Sequence, residues 1–122
     1  MKRGTPVSRL IWVGGCKKDL LSLPGVVRDV FGYALFLAQI GQGHERAKPL
    51  KGFDSAGVLE VVEDLCGDTY RAVYTVKFES NVYVLHCFQK KSTRGAATPK
   101  PDLEKIQTRL RAAEAHAKGT KP

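Results

Sequence analysis

Acidic residues, sulfur and long apolar runs are all scarce in this sequence. Its 122 residues hold three cysteines, one methionine and one tryptophan, and aromatic residues make up only 8%. Cys16, Cys66 and Cys87 are odd in number, far apart and without a C-x-x-C pair, which argues against a disulfide framework and a thiolate zinc site. Scattered free thiols fit a reducing cytosol. No run approaches the roughly 18 apolar residues of a membrane span, and no apolar segment follows the charged start Met1-Lys2-Arg3. The chain is expected to be soluble and cytoplasmic, with no membrane partner. Gly14-Gly15 lacks the spacing of a phosphate-cradling loop, and neither H-E-x-x-H nor G-x-S-x-G occurs. Glu60, Glu63, Asp64 and Asp68 come nearest to a metal set, but strand alternation sends Glu60 and Glu63 to opposite faces. Neither a metal nor a cofactor is expected.

Base is what the chain has in excess. Twenty Lys and Arg face twelve Asp and Glu, a net charge of +8. Such a balance attracts polyanions, nucleic acid first, then an acidic membrane surface or an acidic protein. From residue 90 onward nine cations stand against three acids, so that segment supplies +6 of the excess.

The length suits one domain, 1–122, with 118–122 a frayed tail. Arg9 to Val13 reads as a first strand stopped by Gly14-Gly15, and Lys17 to Leu21 as a short helical piece. A helix starts near Leu23-Pro24 and runs to about Ile40, with Val27, Val30, Phe31, Ala34, Leu35 and Ala38 on one stripe. Residues 42–56 show no period and read as a long loop, of a length that is often functional. Strands follow at Val58 to Val62, Thr69 to Phe78 and Val82 to Phe88, the last two joined by a short turn and so antiparallel neighbours. In the second of these, Arg71, Val73 and Thr75 share one face and Tyr70, Ala72, Tyr74 and Val76 the other. Residues 90–100 form a second loop. A last helix begins near Pro101-Asp102, with Leu103, Ile106, Leu110 and Ala113 on its apolar stripe and Lys105, Arg109 and Arg111 off it. The arrangement is α+β.

Chemistry concentrates around the last strand. His86, Lys90, Lys91 and Arg94 surround Ser92 and Thr93, with Arg71 on the adjoining strand and Lys48 and Lys51 in the long loop. Lys and Arg give charge-assisted hydrogen bonds to phosphate oxygens, bidentate for Arg. A fixed guanidinium stabilises the charge of a pentavalent phosphate, and a desolvated Lys among cations can act as a base. Tyr70, Tyr74 and Phe88 offer rings for stacking bases. Against this, a charge run after a strand is commonly a solvated loop, strand tyrosines are more often core, and a histidine in an apolar strand is as often simply hydrogen-bonded.

Taken in order, Leu23-Pro24, Val27-Arg28, Gly32, Leu35, Gln39-x-Gly41, Lys48-Pro49-Leu50-Lys51-Gly52, Glu60, Tyr70-Arg71-Ala72-Val73-Tyr74 and Leu85-His86-Cys87-Phe88-Gln89-Lys90-Lys91-Ser92, then a basic amphipathic helix, resemble the phage-derived HigB-like toxins of the RelE superfamily. The resemblance implies a small, curved, antiparallel-dominated sheet with two N-terminal helices and a C-terminal helix. It implies the toxin of a type II toxin–antitoxin module, a metal-independent, ribosome-dependent mRNA endonuclease that inhibits translation. The RNA 2′-OH would attack its own phosphate and leave a 2′,3′-cyclic end. Arg71 would stabilise the phosphate, Lys90 and Lys91 bind it or act as base, and His86 serve as acid or base. Lys48, Lys51, Tyr70, Phe88, Ser92 and Arg94 would contact RNA. The implied partners are mRNA, the ribosome and a helix-turn-helix antitoxin, with DNA met only through the antitoxin complex. Two other readings stay open: a ParE-like gyrase inhibitor without nuclease activity, and an inactive basic module that binds RNA or ribosomes.

Overall fold

The computed structural model describes residues 7–53, 57–78, 80–90 and 98–119. In chain order these form β1 (Arg9–Trp12), α1 (Cys16–Leu21), α2 (Gly25–Gln39), β2 (Lys48–Pro49), β3 (Val58–Leu65), β4 (Asp68–Thr75), β5 (Asn81–Lys90) and α3 (Lys100–Gly119). The strands make one sheet in the order β1-β5-β4-β3-β2. β1 runs parallel to β5, and every other pairing is antiparallel. The α+β class and the antiparallel-dominated sheet follow the sequence reading. No helix among the described residues is long and apolar enough to cross a membrane.

Helices cover both faces of the sheet. α1 and α2 pack with Val61, Tyr70, Ala72, Tyr74, Val82 and Val84 in one core, and the expected α2 stripe is buried at Val27, Phe31, Ala34, Leu35 and Ala38. α3 lays Ile106, Leu110 and Ala113 against Val58, Val73, Tyr83 and Leu85 in a second core. β5 lies between the two and is buried on both sides from Val82 to Cys87. That is why its sequence reads as a continuous apolar run and not as an alternation. Each fully buried Val, Leu or Phe contributes roughly 1.5–3 kcal/mol to folding.

Several features differ from the sequence reading, beyond β3 and β5 running on to Leu65 and Lys90. The long loop is not bare: Lys48 and Pro49 pair with Glu60 and Leu59 as an edge strand, a place that tolerates a proline because one side of the strand needs no ladder donor. β4 stops at Thr75, leaving Val76 exposed. Arg109, expected to lie off the α3 stripe, instead turns in toward the sheet and donates to the Leu85 carbonyl at 3.0 Å. A β-bulge explains that contact. Val73 pairs with His86 and Tyr74 with Val84, so Leu85 has no opposite number in β4. The bulge turns Leu85 and His86 to the same α3 face, and Arg109 occupies the displaced carbonyl.

β3 and β4 are joined by two residues, Cys66 and Gly67, both with positive φ (51° and 86°). A two-residue turn of this kind favours Asn-Gly, and an L side chain other than Asn or Asp costs about 1–2 kcal/mol there. Cys66→Asn is therefore expected to stabilise the chain by about 1 kcal/mol. In a domain of this size that is a rise of a few degrees in Tm, readable in a thermal melt, and an unchanged or lower Tm would remove the argument.

Candidate functional site

On the α3 face, β2 and the residues after it meet β3, β4 and the start of α3 around a cleft of about 550 Å³. Lys48, Leu50, Lys51, Glu60, Arg71 and Leu103 line it, with Thr98 beside them. The strand register brings them together. Lys48 lies opposite Glu60, and Glu60 opposite Val73, two residues along β4 from the Val62–Arg71 pair. Glu60 and Arg71 are thus diagonal neighbours on the same face. The Arg71 guanidinium donates to the Glu60 carboxylate at 2.5 Å and reaches the Thr98 hydroxyl at 3.5 Å. Both partners are buried, Arg71 at 5% and Glu60 at 6% exposure, while Lys48 and Lys51 stand exposed at the rim. A guanidinium anchored by a carboxylate is held in a fixed plane, and a planar fork of donors suits a tetrahedral anion.

A second concavity of similar volume lies across the first turn of α3, lined by Ser22, Leu23, Pro24, His86, Gln89 and Lys105 among others. His86 is 4% exposed. Its Nε2 and the Asp102 carboxylate are 2.8 Å apart, and its ring stacks on Phe88 with centroids 4.2 Å apart. Its Nδ1 is buried without a hydrogen-bond partner. Burial pushes the His86 pKa down, against the raising influence of the Asp102 carboxylate; Lys105 and Arg109 push it down further. The neutral ring donates from Nε2 to Asp102 and leaves an unprotonated Nδ1. Below the usual histidine pKa of about 6.5 the unfolded chain takes up a proton that the folded chain refuses. Stability is therefore expected to fall as pH drops through that value and on through the lower folded pKa. Urea melts between pH 8 and pH 5 should show a decline that is smaller in His86→Gln. An equal decline in both would assign the acid sensitivity elsewhere.

The residues singled out in the sequence divide between these places. Lys48, Lys51 and Arg71 converge in the first cleft. His86 and Phe88 fall in the second, and Tyr70, though it touches that groove, is 6% exposed and belongs to the α1/α2 core. Burial leaves Tyr70 no open ring face to stack a base. Lys90 is buried at the end of β5 opposite Thr69 and lines neither cleft. Lys91, Ser92 and Arg94 lie outside the described residues. Thr98, Leu103 and Lys105 as lining residues, Asp102 as the anchor of His86 and Glu60 as the partner of Arg71 emerge only from the fold.

Burial also raises both inner thiols: Cys87 sits well above the usual thiol range, and Cys16 is raised although the Arg109 guanidinium opposes the shift. At neutral pH neither is a thiolate, so they are core residues, not nucleophiles.

No curated protein matches the chain in sequence. Residues 18–111 match the family described as phage derived protein Gp49-like (DUF891), a stretch that begins in α1, ends in α3 and contains most residues of both clefts. The chain therefore belongs to the phage-derived Gp49-like family, part of the RelE/ParE toxin-like group, whose members are commonly toxins of toxin–antitoxin modules.

Proposed function

We propose that this protein is the toxin of a type II module of the HigB-like branch, and that it stops translation in the cytoplasm by cleaving mRNA. The observation that carries the reading is the buried Arg71–Glu60 pair, set in an open cleft between the two exposed lysines Lys48 and Lys51. An RNA phosphate entering between the lysines would meet the Arg71 guanidinium. Glu60 is then the carboxylate within reach of the adjacent 2′-OH. It takes the hydroxyl proton as the 2′-oxygen bonds to phosphorus. Arg71 stabilises the charge that builds on the phosphoryl oxygens, and the P–O5′ bond breaks. The 5′-oxygen leaves with a proton from the ammonium of Lys48 or Lys51. Every proton and bond is accounted for by these side chains. His86, anchored to Asp102 and stacked on Phe88, positions the start of α3 along the cleft.

The partners in this reading are mRNA, presented by the ribosome, and a helix-turn-helix antitoxin through which alone the toxin meets DNA. A +8 toxin associates with an acidic antitoxin quickly at low salt and more slowly as salt rises.

The test is induced expression in bacteria of wild type, Arg71→Ala and Lys51→Ala, with growth and mRNA 5′ ends read together. Wild type should arrest growth and create new ends, and losing a transition-state donor should lower cleavage by about 10²–10³-fold. Lys51 is exposed, so its loss separates lost chemistry from lost folding. Arrest without new ends, with purified protein blocking gyrase supercoiling, would replace the nuclease reading by inhibition of gyrase. No arrest in any strain would leave a binding module.

A further inference from the structure

The second groove supplies no group that touches the phosphate in the chemistry proposed above, yet it carries charge of both signs. Asp19 reaches it from α1, Leu23 and Pro24 from the turn after α1, Gln89 from β5 and Lys105 from α3. Its floor is closed, since Tyr70, His86 and Cys87 are buried, so a ligand meets side chains and not the strand's main chain. Asp19 pushes the Cys87 thiol up, and Lys105 pushes the adjacent His86 down. The two charges thus bear on neighbouring residues of β5 from opposite sides. Neither forms an ion pair with the other or with any other described residue.

That pairing of charges selects the ligand. Asp19 repels a bare anion and Lys105 repels a cation, so the occupant must present donors to one and acceptors to the other. It must also set an apolar face against Leu23, Pro24 and Phe88, whose half-buried ring extends the stack with His86 at 4.2 Å. A nucleobase has both properties. Among the four bases of RNA only guanine sets two neighbouring N–H donors, at N1 and N2, side by side for the two oxygens of a carboxylate. Its O6 and N7 are acceptors.

We propose that this groove reads a guanine base: Asp19 accepts from N1–H and N2–H, Lys105 donates to O6, and Gln89 donates to N7. The register gives the base its route. Phe88 lies opposite Arg71, with about 5 Å between Cα atoms, so a strand whose phosphate meets Arg71 lays the adjoining base beside Phe88. In that clause alone the inference rests on the function proposed above, because a free guanine nucleotide carries the same base.

The experiment measures binding of 2′-O-methyl octauridylates, each with one central guanine, hypoxanthine, adenine or cytosine, to the full-length chain by fluorescence anisotropy. A 2′-O-methyl group cannot attack its phosphate, so cleavage does not enter. The guanine oligomer should bind about tenfold tighter than those with adenine or cytosine. Hypoxanthine, which lacks the N2 amine, should fall between, and this arm leaves the protein unaltered. Asp19→Asn removes one of the two acceptors at constant size and should bring the guanine advantage below about twofold. Lys51→Ala should weaken all four oligomers alike and keep the advantage. Equal affinity for the four bases would overturn the proposal, and so would a guanine preference that survives Asp19→Asn. The same preference for 5′-guanosine over 5′-adenosine monophosphate would show that the groove takes the free nucleotide. A preference confined to the oligomers would tie it to the strand in the first cleft. Guanine preference in a chain that cleaves no mRNA keeps the groove and removes the nuclease; cleavage without preference does the reverse.

Discussion

Arg71→Met and Glu60→Leu will each cost about 3–5 kcal/mol of stability, whereas the double variant will lie within about 1 kcal/mol of wild type and remain non-toxic. Removing one partner takes a buried charge from beside the other, and the low-dielectric surroundings that strengthen the pair make its loss costly. Both side chains lie within the sheet's α3 face beside Leu50 and Leu103. Two apolar chains of similar volume can therefore fill the space once neither charge is present. On that expectation the pair stabilises the fold no better than Met and Leu would, and its presence then needs a reason other than stability. Phosphate chemistry supplies one: a desolvated guanidinium with a carboxylate at its side. Urea melts of the four proteins, set beside growth after induction, make the comparison. A double variant as unstable as the single ones would show that Arg71 is held by more than Glu60. A stable double variant that still arrests growth would remove the pair from the mechanism.

The same pair shows how far the sequence could be read. Periodicity alone exposed α2 and α3, because each buries one stripe at helical spacing. It also placed Arg71 and Val73 on one face of β4 and Tyr70 and Tyr74 on the other. Pairing Glu60 with Arg71 needed one step more. Taking Cys66-Gly67 as a two-residue turn fixes the β3–β4 register, and counting back from it sets Glu60 diagonal to Arg71. Without that register Glu60 belonged to an acidic stretch with no assigned role. β5 resisted alternation because it is buried on both faces, so nothing local revealed the bulge that turns His86 toward Asp102. Arg109 was least legible of all, since its contacts at Cys16 and Leu85 span 93 and 24 residues of chain. A basic helix supplies many cations, and only the fold selects the one that turns inward.

Gly14 and Gly32 are expected to respond in opposite directions to alanine. Gly14 sits at φ +63°, and a Cβ there would lie 2.9 Å from Nε and 3.0 Å from Cζ and Nη2 of Arg109. Gly14→Ala strains the backbone by about 1–2 kcal/mol. It also moves the guanidinium off the Leu85 carbonyl, and a hydrogen bond from a charged donor is worth about 1.5–3 kcal/mol. A loss near 3 kcal/mol in total follows, and Arg109→Met should reproduce the part that belongs to the displaced guanidinium. Gly32 lies within α2, exposed and with nothing within 4 Å of a Cβ. Alanine there should stabilise the helix by about 0.5–1 kcal/mol. If Gly14→Ala proved as benign as Gly32→Ala in urea melts, Arg109 would not be the keystone of the bulge.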